Sequence, residues 1–448
     1  MDKDLQINSS ASADLPTLDD PTLPRADAIA GVAQGAVTDS AETTIIELPR
    51  IARALRNRDF RLFWSGNFLS NIGTWMQNVA QGWLVLQLTN SAFWLGVIGF
   101  CSTIPILLFA LIGGVIADHV NKRKLLMVTQ SAMMIFAFAM AVLAYLNKIN
   151  VAEIAMLAAG TGIAMSLNTP SYQALVPRLV PRDDLINAIA LNSAQFNMSR
   201  VLGPTLGGFA MAAVGVAGNF FLNGLSFLAV IIALTQIRYK ENVAPGEGHL
   251  WLKMKQGFAY VFAREEMLSL VLMVSIASLL VLPFLVFVPY FARDVLHSDE
   301  RGLGILMACS GIGSFFGAGT IAYVGKVARR GRLIFSAGLG FFATIIAFTF
   351  SRSFALSGAL LMLSGYCMIL MVATINAVLQ HLSDDHMRGR VMSIYSTAFL
   401  GLPPVGSLIA GSLARVVSAP HAIAGMVAVA MVGSIVLYGR RSALRQLD

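Results

Sequence analysis

Residues 267–292 read MLSLVLMVSIASLLVLPFLVFVPYFA, twenty-six positions without a charged side chain. A helix needs about 20 apolar residues to cross a hydrocarbon core of roughly 30 Å. Five similar blocks follow at 302–325, 333–351, 354–379, 388–415 and 420–439. Six precede it at 62–88, 92–117, 124–147, 151–175, 185–214 and 217–237. A polar interval at 238–266 separates the two sets. The reading is an all-α membrane protein of twelve transmembrane helices in two six-helix pseudo-repeats, 50–237 and 267–440.

Composition agrees with that reading. Of 448 residues, 56% are hydrophobic and 12% charged, where a soluble domain carries about 25% charged. Mean hydropathy is +0.70. The formal charge of +8 would also suit a nucleic-acid binder. Here the basic residues sit between apolar blocks, as cytoplasmic loops of membrane proteins do, so no nucleic-acid partner is expected. Cys101, Cys309 and Cys367 lie inside apolar blocks and have no metal or disulfide spacing. No metal and no cofactor are expected.

Residues 1–49 are polar and acidic and predict a disordered cytoplasmic tail with no cleavable leader. Residues 50–61 (RIARALRNRDFR) predict a short amphipathic helix on the anionic inner leaflet. The pattern LWLKMKQGFAYVF (250–262) predicts a second surface helix within the linker. Twenty-four Lys and Arg residues fall in the tails, loops and linker on the side of the N-terminus, and five on the other. This bias places both termini, including the tail 441–448, in the cytoplasm of an inner-membrane protein.

The halves repeat weakly. LVPRDDLINAIA (179–190) leads into RVLGPTLGG (200–208). HLSDDHMRGRVM (381–392) leads into GLPPVGSLIAG (401–411). The loop GGVIADHVNKRKLL (113–126) places Gly114, Asp118, Lys122 and Arg123 at fixed spacing. An Asp at a helix end can pair with a basic side chain or a facing helix N-terminus; an ordinary charged loop reads the same way. This spacing resembles the loop 2–3 signature of the major facilitator superfamily, with Asn121 where that family has Gly. The resemblance implies the major facilitator fold and a cytoplasmic latch between its halves. GPTLGG is similar to the family's exporter and antiporter motif. In it Pro204 is expected to bend the helix, and Gly203, Gly207 and Gly208 to admit a close neighbour. LRNRDFRLFWSGNFLSNIGTWM (55–76), NTPSYQALVPRLV (168–180) and RGRVMSIY (388–395) resemble the enterobactin-exporter-like and macrolide-efflux-like branch. The second-half counterpart, GTIAYVGKVARRGR (319–332), carries Tyr323 where the Asp would stand, which leaves a symmetric latch unsupported.

Asn67, Asn71, Thr74, Asn78 and Gln81 recur at intervals of 4, 3, 4 and 3 and share one helical face. Amides facing lipid are costly, so the stripe is expected to line a substrate cavity, with a polar seam between helices as the competing reading. Asn192 and Gln195 form a weaker stripe with Ser199, and Thr161, Met165, Asn168 and Tyr172 another. Phe284, Phe287, Tyr366, Tyr395 and Phe399 suggest an aromatic facing wall or plain bundle core. Arg200 is the strongly basic residue placed well inside a span. Such an Arg either binds an anionic group or pairs with carbonyls or a nearby acid.

No carboxylate falls mid-span, so protons as coupling ion are implied by the resemblance alone. The phosphate-loop approximation GTIAYVGKV has the wrong spacing for an ATP-driven pump. The six scattered histidines do not build an enzyme site. The expected function is secondary active transport by alternating access, exporting siderophore-like or drug-like amphipathic compounds through a monomer by proton antiport. The alternative is a non-transporting receptor or scaffold.

Overall fold

The computed structural model describes residues 50–237, 250–324 and 330–441. The expected tail at 1–49, the linker residues 238–249 and the last seven residues lie outside the described residues.

The described residues are helical with short turns. The first lobe holds α1 (Arg58–Thr89), α2 (Ala92–His119), α3 (Lys122–Tyr145), α4 (Val151–Leu175) and α5 (Leu185–Gln236). The surface helix α6 (Leu250–Phe262) precedes the second lobe. That lobe holds α7 (Glu265–Leu280), α8 (Phe284–Tyr290), α9 (Glu300–Val324), α10 (Arg330–Phe350), α11 (Phe354–Leu382), α12 (Asp385–Gly401), α13 (Pro403–Val417) and α14 (Ala419–Arg440).

Ten stretches of the described residues are helical, long and apolar enough to cross a membrane. α1 is not among them despite its 32 residues, because its amides dilute its hydropathy. α5 is counted once there, yet straight it would run for about 78 Å at 1.5 Å per residue. It breaks at Gly215, whose φ of 73° and ψ of 176° are not helical. A left-handed φ costs glycine little, so the chain reverses there between two arms. The helix runs on through Pro204. In the second lobe the block 267–292 breaks at 281–283, ahead of Pro283, and 388–415 breaks at Leu402, ahead of Pro403 and Pro404. Proline lacks the donor that would continue the preceding turn.

Packing sorts the helices into two groups. In the first, α1 lies against α5, α2 against α4, and α3 against α4 and α5. In the second, α11 lies against α9 and α10, and α14 against α7, α10 and α13. The groups meet along two seams, α2 with α13 and α5 with α9. Val128, Ile135 and Val142, seven residues apart on α3, are each more than half exposed. An apolar face without a protein partner is what lipid covers.

Phe284 and Phe287 are fully buried in the main core, with Phe284 packed 6.2 Å from Phe341 between ring centroids. Phe291 and Phe348 approach to 4.8 Å. Tyr395 and Phe399 stack on each other at 6.0 Å. Of the two open readings of these aromatics, Phe284 and Phe287 are core.

The two Asp-Asp turns do matching work. Asp184 pairs with Arg53 at 3.1 Å and accepts from Asn57 Nδ2 at 3.0 Å, while Asn187 Oδ1 accepts from the Ala54 N–H at 2.8 Å. These bonds fix Arg50–Arg56, a tight 3-10 helix, against the start of α5. Asp384 accepts from the Tyr260 hydroxyl at 2.8 Å and from Arg264 at 3.4 Å, fixing α6 against the start of α12.

Close approach of α2 and α4 depends on small residues. A Cβ on Gly162 would meet the Ser102 carbonyl and the Pro105 ring, and one on Gly113 would meet the Ser166 carbonyl. Gly162→Val should therefore cost about 1–3 kcal/mol by overpacking. The thermal midpoint of the detergent-purified protein should fall by several degrees, and an unchanged midpoint would contradict this contact.

Candidate substrate cavity

α1 carries a run of amides among apolar helices, and it accommodates them in two ways. Gln77 turns into the first lobe, where its Oε1 accepts from Asn223 Nδ2 at 2.6 Å. Ser226 donates to Asn223 Oδ1 at 3.0 Å. This buried chain holds α1 against the second arm of α5. Asn78, one residue on and about 100° further round the helix, instead borders an open cavity.

The cavity lies between the lobes and measures about 930 Å³. From the first lobe Asn78, Gln81, Ser102, Thr103, Asn197 and Arg200 line it. From the second come Ser310, Ser314 and Ser407 and an apolar wall of Met307, Phe315, Phe316 and Ile369. The aromatic wall is thus Phe315 and Phe316 rather than Phe284 and Phe287. Arg200 is the one charged residue in the lining, and no acid joins it among the described residues.

Of the five-residue stripe on α1, Asn78 and Gln81 reach the cavity. Gln81 Nε2 donates to Ser102 Oγ at 3.3 Å. Asn67 is buried and Asn71 half-buried outside the lining. Thr74 donates to the Ser70 carbonyl at 2.9 Å. Asn192 Oδ1 accepts from the Tyr172 hydroxyl at 2.8 Å. Asn168 Oδ1 accepts from Thr129 and Gln130 at 3.1 and 3.2 Å. Gln195 is buried outside the lining, with its Oε1 unpartnered among the described residues. Trp75 and Val79 border the cavity too.

The cavity is closed at the end where α1 turns into α2. There Trp83 Nε1 donates across the lobes to Glu300 Oε1 at 3.0 Å, and Arg293 Nη2 to Asn90 Oδ1 at 2.9 Å. The Arg415 guanidinium lies 3.8 Å over the Phe93 ring. The two seams close on glycine. A Cβ on Gly96 would meet Gly411, and one on Gly208 would meet Gly304 and the Glu300 carbonyl. Gly203 and Gly207 face inward instead, against Trp75 and Met76 of α1.

At the opposite end, the side chain of Asp118 lies outside the described residues. Asn121 caps α3 by accepting from the Lys124 N–H at 2.9 Å, a reason for Asn to stand where the family has Gly. Lys122 is buried, and Arg123 Nη2 donates to the Thr235 carbonyl at 2.8 Å, tying α3 to the end of α5. Beside Gly114 there is open space.

A family model described as transmembrane secretion effector matches residues 52–448. The chain belongs to this family of the major facilitator superfamily. Its members are membrane transporters and not enzymes, and this one is a multi-pass bacterial inner-membrane protein for small-molecule substrates. The staphyloferrin A transporter of Staphylococcus aureus is 24% identical over 78% of this chain and 88% of its own length. The multidrug efflux pump Tap of Mycolicibacterium fortuitum is 26% identical over 75% and 84%. The enterobactin exporter EntS of Escherichia coli is 23% identical over 79% and 85%. A bacterial homologue of the iron transporter ferroportin, in an inward-facing state, superposes with a TM-score of 0.64 at 17% identity, over 86% of this chain and 99% of that one. That likeness establishes the major facilitator fold.

Sequence reasoning missed Ser102, Thr103, Asn197, Ser310 and Ser314. Asn197 and Arg200 are three apart, and Ser310 and Ser314 four apart, so helical spacing could have paired them. Ser102 and Thr103 are hydroxyls in an apolar block and carry no spacing signal.

With Cys101, Cys309 and Cys367 replaced by alanine, a cysteine at Asn78 should react with a water-soluble thiol reagent far faster than one at Asn67. Equal rates at the two positions would contradict the division of the α1 stripe.

Proposed function

We propose that this transporter is a secondary exporter of siderophore-like or drug-like amphipathic molecules that works by alternating access. The observation that carries the reading is the cavity of about 930 Å³ built by both lobes, with amides and Arg200 from the first lobe, hydroxyls from both, and a large apolar surface that includes Met307, Phe315, Phe316 and Ile369. Pockets of 300–1,000 Å³ suit drug-sized ligands. Asn78, Gln81 and Arg200 are its substrate contacts, while Asn67, Asn71, Thr74, Asn192 and Gln195 support them from within the lobe. The siderophore and drug transporters among its relatives support a cargo of that kind.

In the proposed topology α1 and each arm of α5 count as spans, making six within 50–237 and six within 267–440, joined by the linker 238–266. Both termini are cytoplasmic, as the loop charges favour. The Trp83–Glu300 end then faces outward, and the described state is open to the cytoplasm. On switching, the lobes rock about the cavity. Gly114, Asp118, Lys122 and Arg123 then form the latch that closes the cytoplasmic side. Proton antiport drives the cycle in a single chain, a reading supported by family likeness.

Flux into inside-out vesicles, measured over a panel of siderophores and antibiotics with and without a pH gradient, tests this reading. Asn78→Leu combined with Gln81→Leu should lower flux about tenfold or more by removing polar contacts, with normal membrane insertion. Unchanged flux would remove the cavity from the transport path. Asp118→Asn should also impair flux without blocking insertion; wild-type flux in that variant would remove the latch.

A further inference from the structure

We infer that the cavity selects amphipathic organic anions and that Arg200 is the anchor for their anionic group. The inference rests on the cavity being the substrate site.

Arg200 sits in the middle of the first arm of α5, among residues too apolar to balance a charge. Its one described hydrogen-bond contact is with Met368 of the other lobe, with Nη2 3.7 Å from the sulfur. A thioether is a weak acceptor. A guanidinium in such surroundings carries a large desolvation cost unless an anion or water offsets it. Nothing acidic does so among the described residues, and Arg200 enters no described salt bridge. Its side chain borders the cavity, so the compensating charge has a place from which to approach.

The surroundings fit an anion and oppose a cation. A guanidinium offers paired donors that match a carboxylate or sulfonate. Asn197 lies three residues before Arg200 and shares its face. Its Nδ2 is used locally, donating to the Ser193 carbonyl at 2.8 Å. Asn78 and Gln81 add amide N–H groups from α1, and Ser310 adds a hydroxyl from α9. A lipophilic cation would instead meet one fixed positive charge and no carboxylate. The apolar body of an anionic ligand has Met307, Phe315 and Ile369 to lie against.

Three probes that differ in charge alone test the inference: pyrenebutyrate, its neutral methyl ester, and the pyrenebutyl trimethylammonium cation. Trp75 lines the cavity, so in the detergent-purified full chain with Trp64, Trp83, Trp94 and Trp251 replaced by phenylalanine, energy transfer from Trp75 to pyrene reports occupancy, with Trp75→Phe in the same background as control. Wild type should bind pyrenebutyrate about tenfold or more tightly than the other two. Arg200→Gln should erase that preference while leaving ester binding unchanged, and Arg200→Lys should retain part of it. The unchanged ester affinity also checks that the variant is folded. Equal binding of all three probes to wild type would overturn anion selection and leave the cavity as a site. So would an equal loss of all three in Arg200→Gln. Binding of none, or energy transfer indifferent to Trp75→Phe, would overturn the cavity reading itself.

Discussion

A polar side chain held in hydrocarbon must be either hydrogen-bonded or wet, and this rule arranges the molecule around α1. Gln77 and Asn78 are neighbours in sequence and meet opposite halves of the rule. Gln77 is paired with Asn223 inside the lobe, while Asn78 is left open to the cavity. The same helix therefore glues the first lobe together and supplies the polar wall of the passage. A rotation of α1 by one residue that carried Gln77 to the place of Asn78 would break its bond to Asn223 and open the joint with α5.

The bonds inside and between the lobes differ in kind. Within the first lobe, buried side-chain bonds accumulate: Gln77 with Asn223, Asn168 with Thr129 and Gln130, and Asn219 Nδ2 to the Gly207 carbonyl at 2.9 Å. Removing one partner of a buried bond strands the other at about 1–3 kcal/mol, so such a lobe resists internal rearrangement. Across the lobes the described hydrogen bonds are Trp83 to Glu300, Asn90 to Arg293 and the weak contact of Arg200 with Met368. The rest of the junction is packing and one cation–π contact: backbone beside backbone at Gly96/Gly411 and Gly208/Gly304, Pro289 beside Gly82, Val286 beside Gly99, Leu107 beside Gly401, and Arg415 over Phe93. Stiff lobes joined by a seam with few directional bonds favour motion of one lobe against the other.

The helical architecture was largely legible because the apolar blocks are each long enough to cross a membrane. The break at Gly215 separates 185–214 from 217–237 where the sequence reading divided them. The Asp-Asp turns were also legible as a repeat, although their use of Asp184 and Asp384 to pin a surface helix needed coordinates. The cavity was harder. The spacing of Asn67, Asn71, Thr74, Asn78 and Gln81 defines a helical face correctly. It does not say how far along that face the neighbouring helices stay in contact. Asn67 is covered by its own lobe, whereas Asn78 lies where the lobes diverge. Ser102 and Thr103 could not be weighed, since isolated hydroxyls satisfy themselves on the preceding turn, as both do here.

The GPTLGG segment was legible as a proline bend with glycines for close packing, and the structure divides those glycines by face. Gly203 and Gly207, four apart, seat α5 on Trp75 and Met76 of its own lobe. Gly208, one residue round, seats it on α9 of the other lobe. Eight residues bring a helix through about 800°, so Arg200, two turns before Gly208, stands about 80° round from it, beside the seam with α9 rather than on it. Pro204 stands between them and cannot donate to the Arg200 carbonyl, so this point in mid-membrane carries both a charge and an acceptor without its usual helical donor. Both are tolerable beside a cavity and costly against lipid. Val201, next to Arg200, meets α9 at Gly311, so the charge stands at the border between that seam and the cavity.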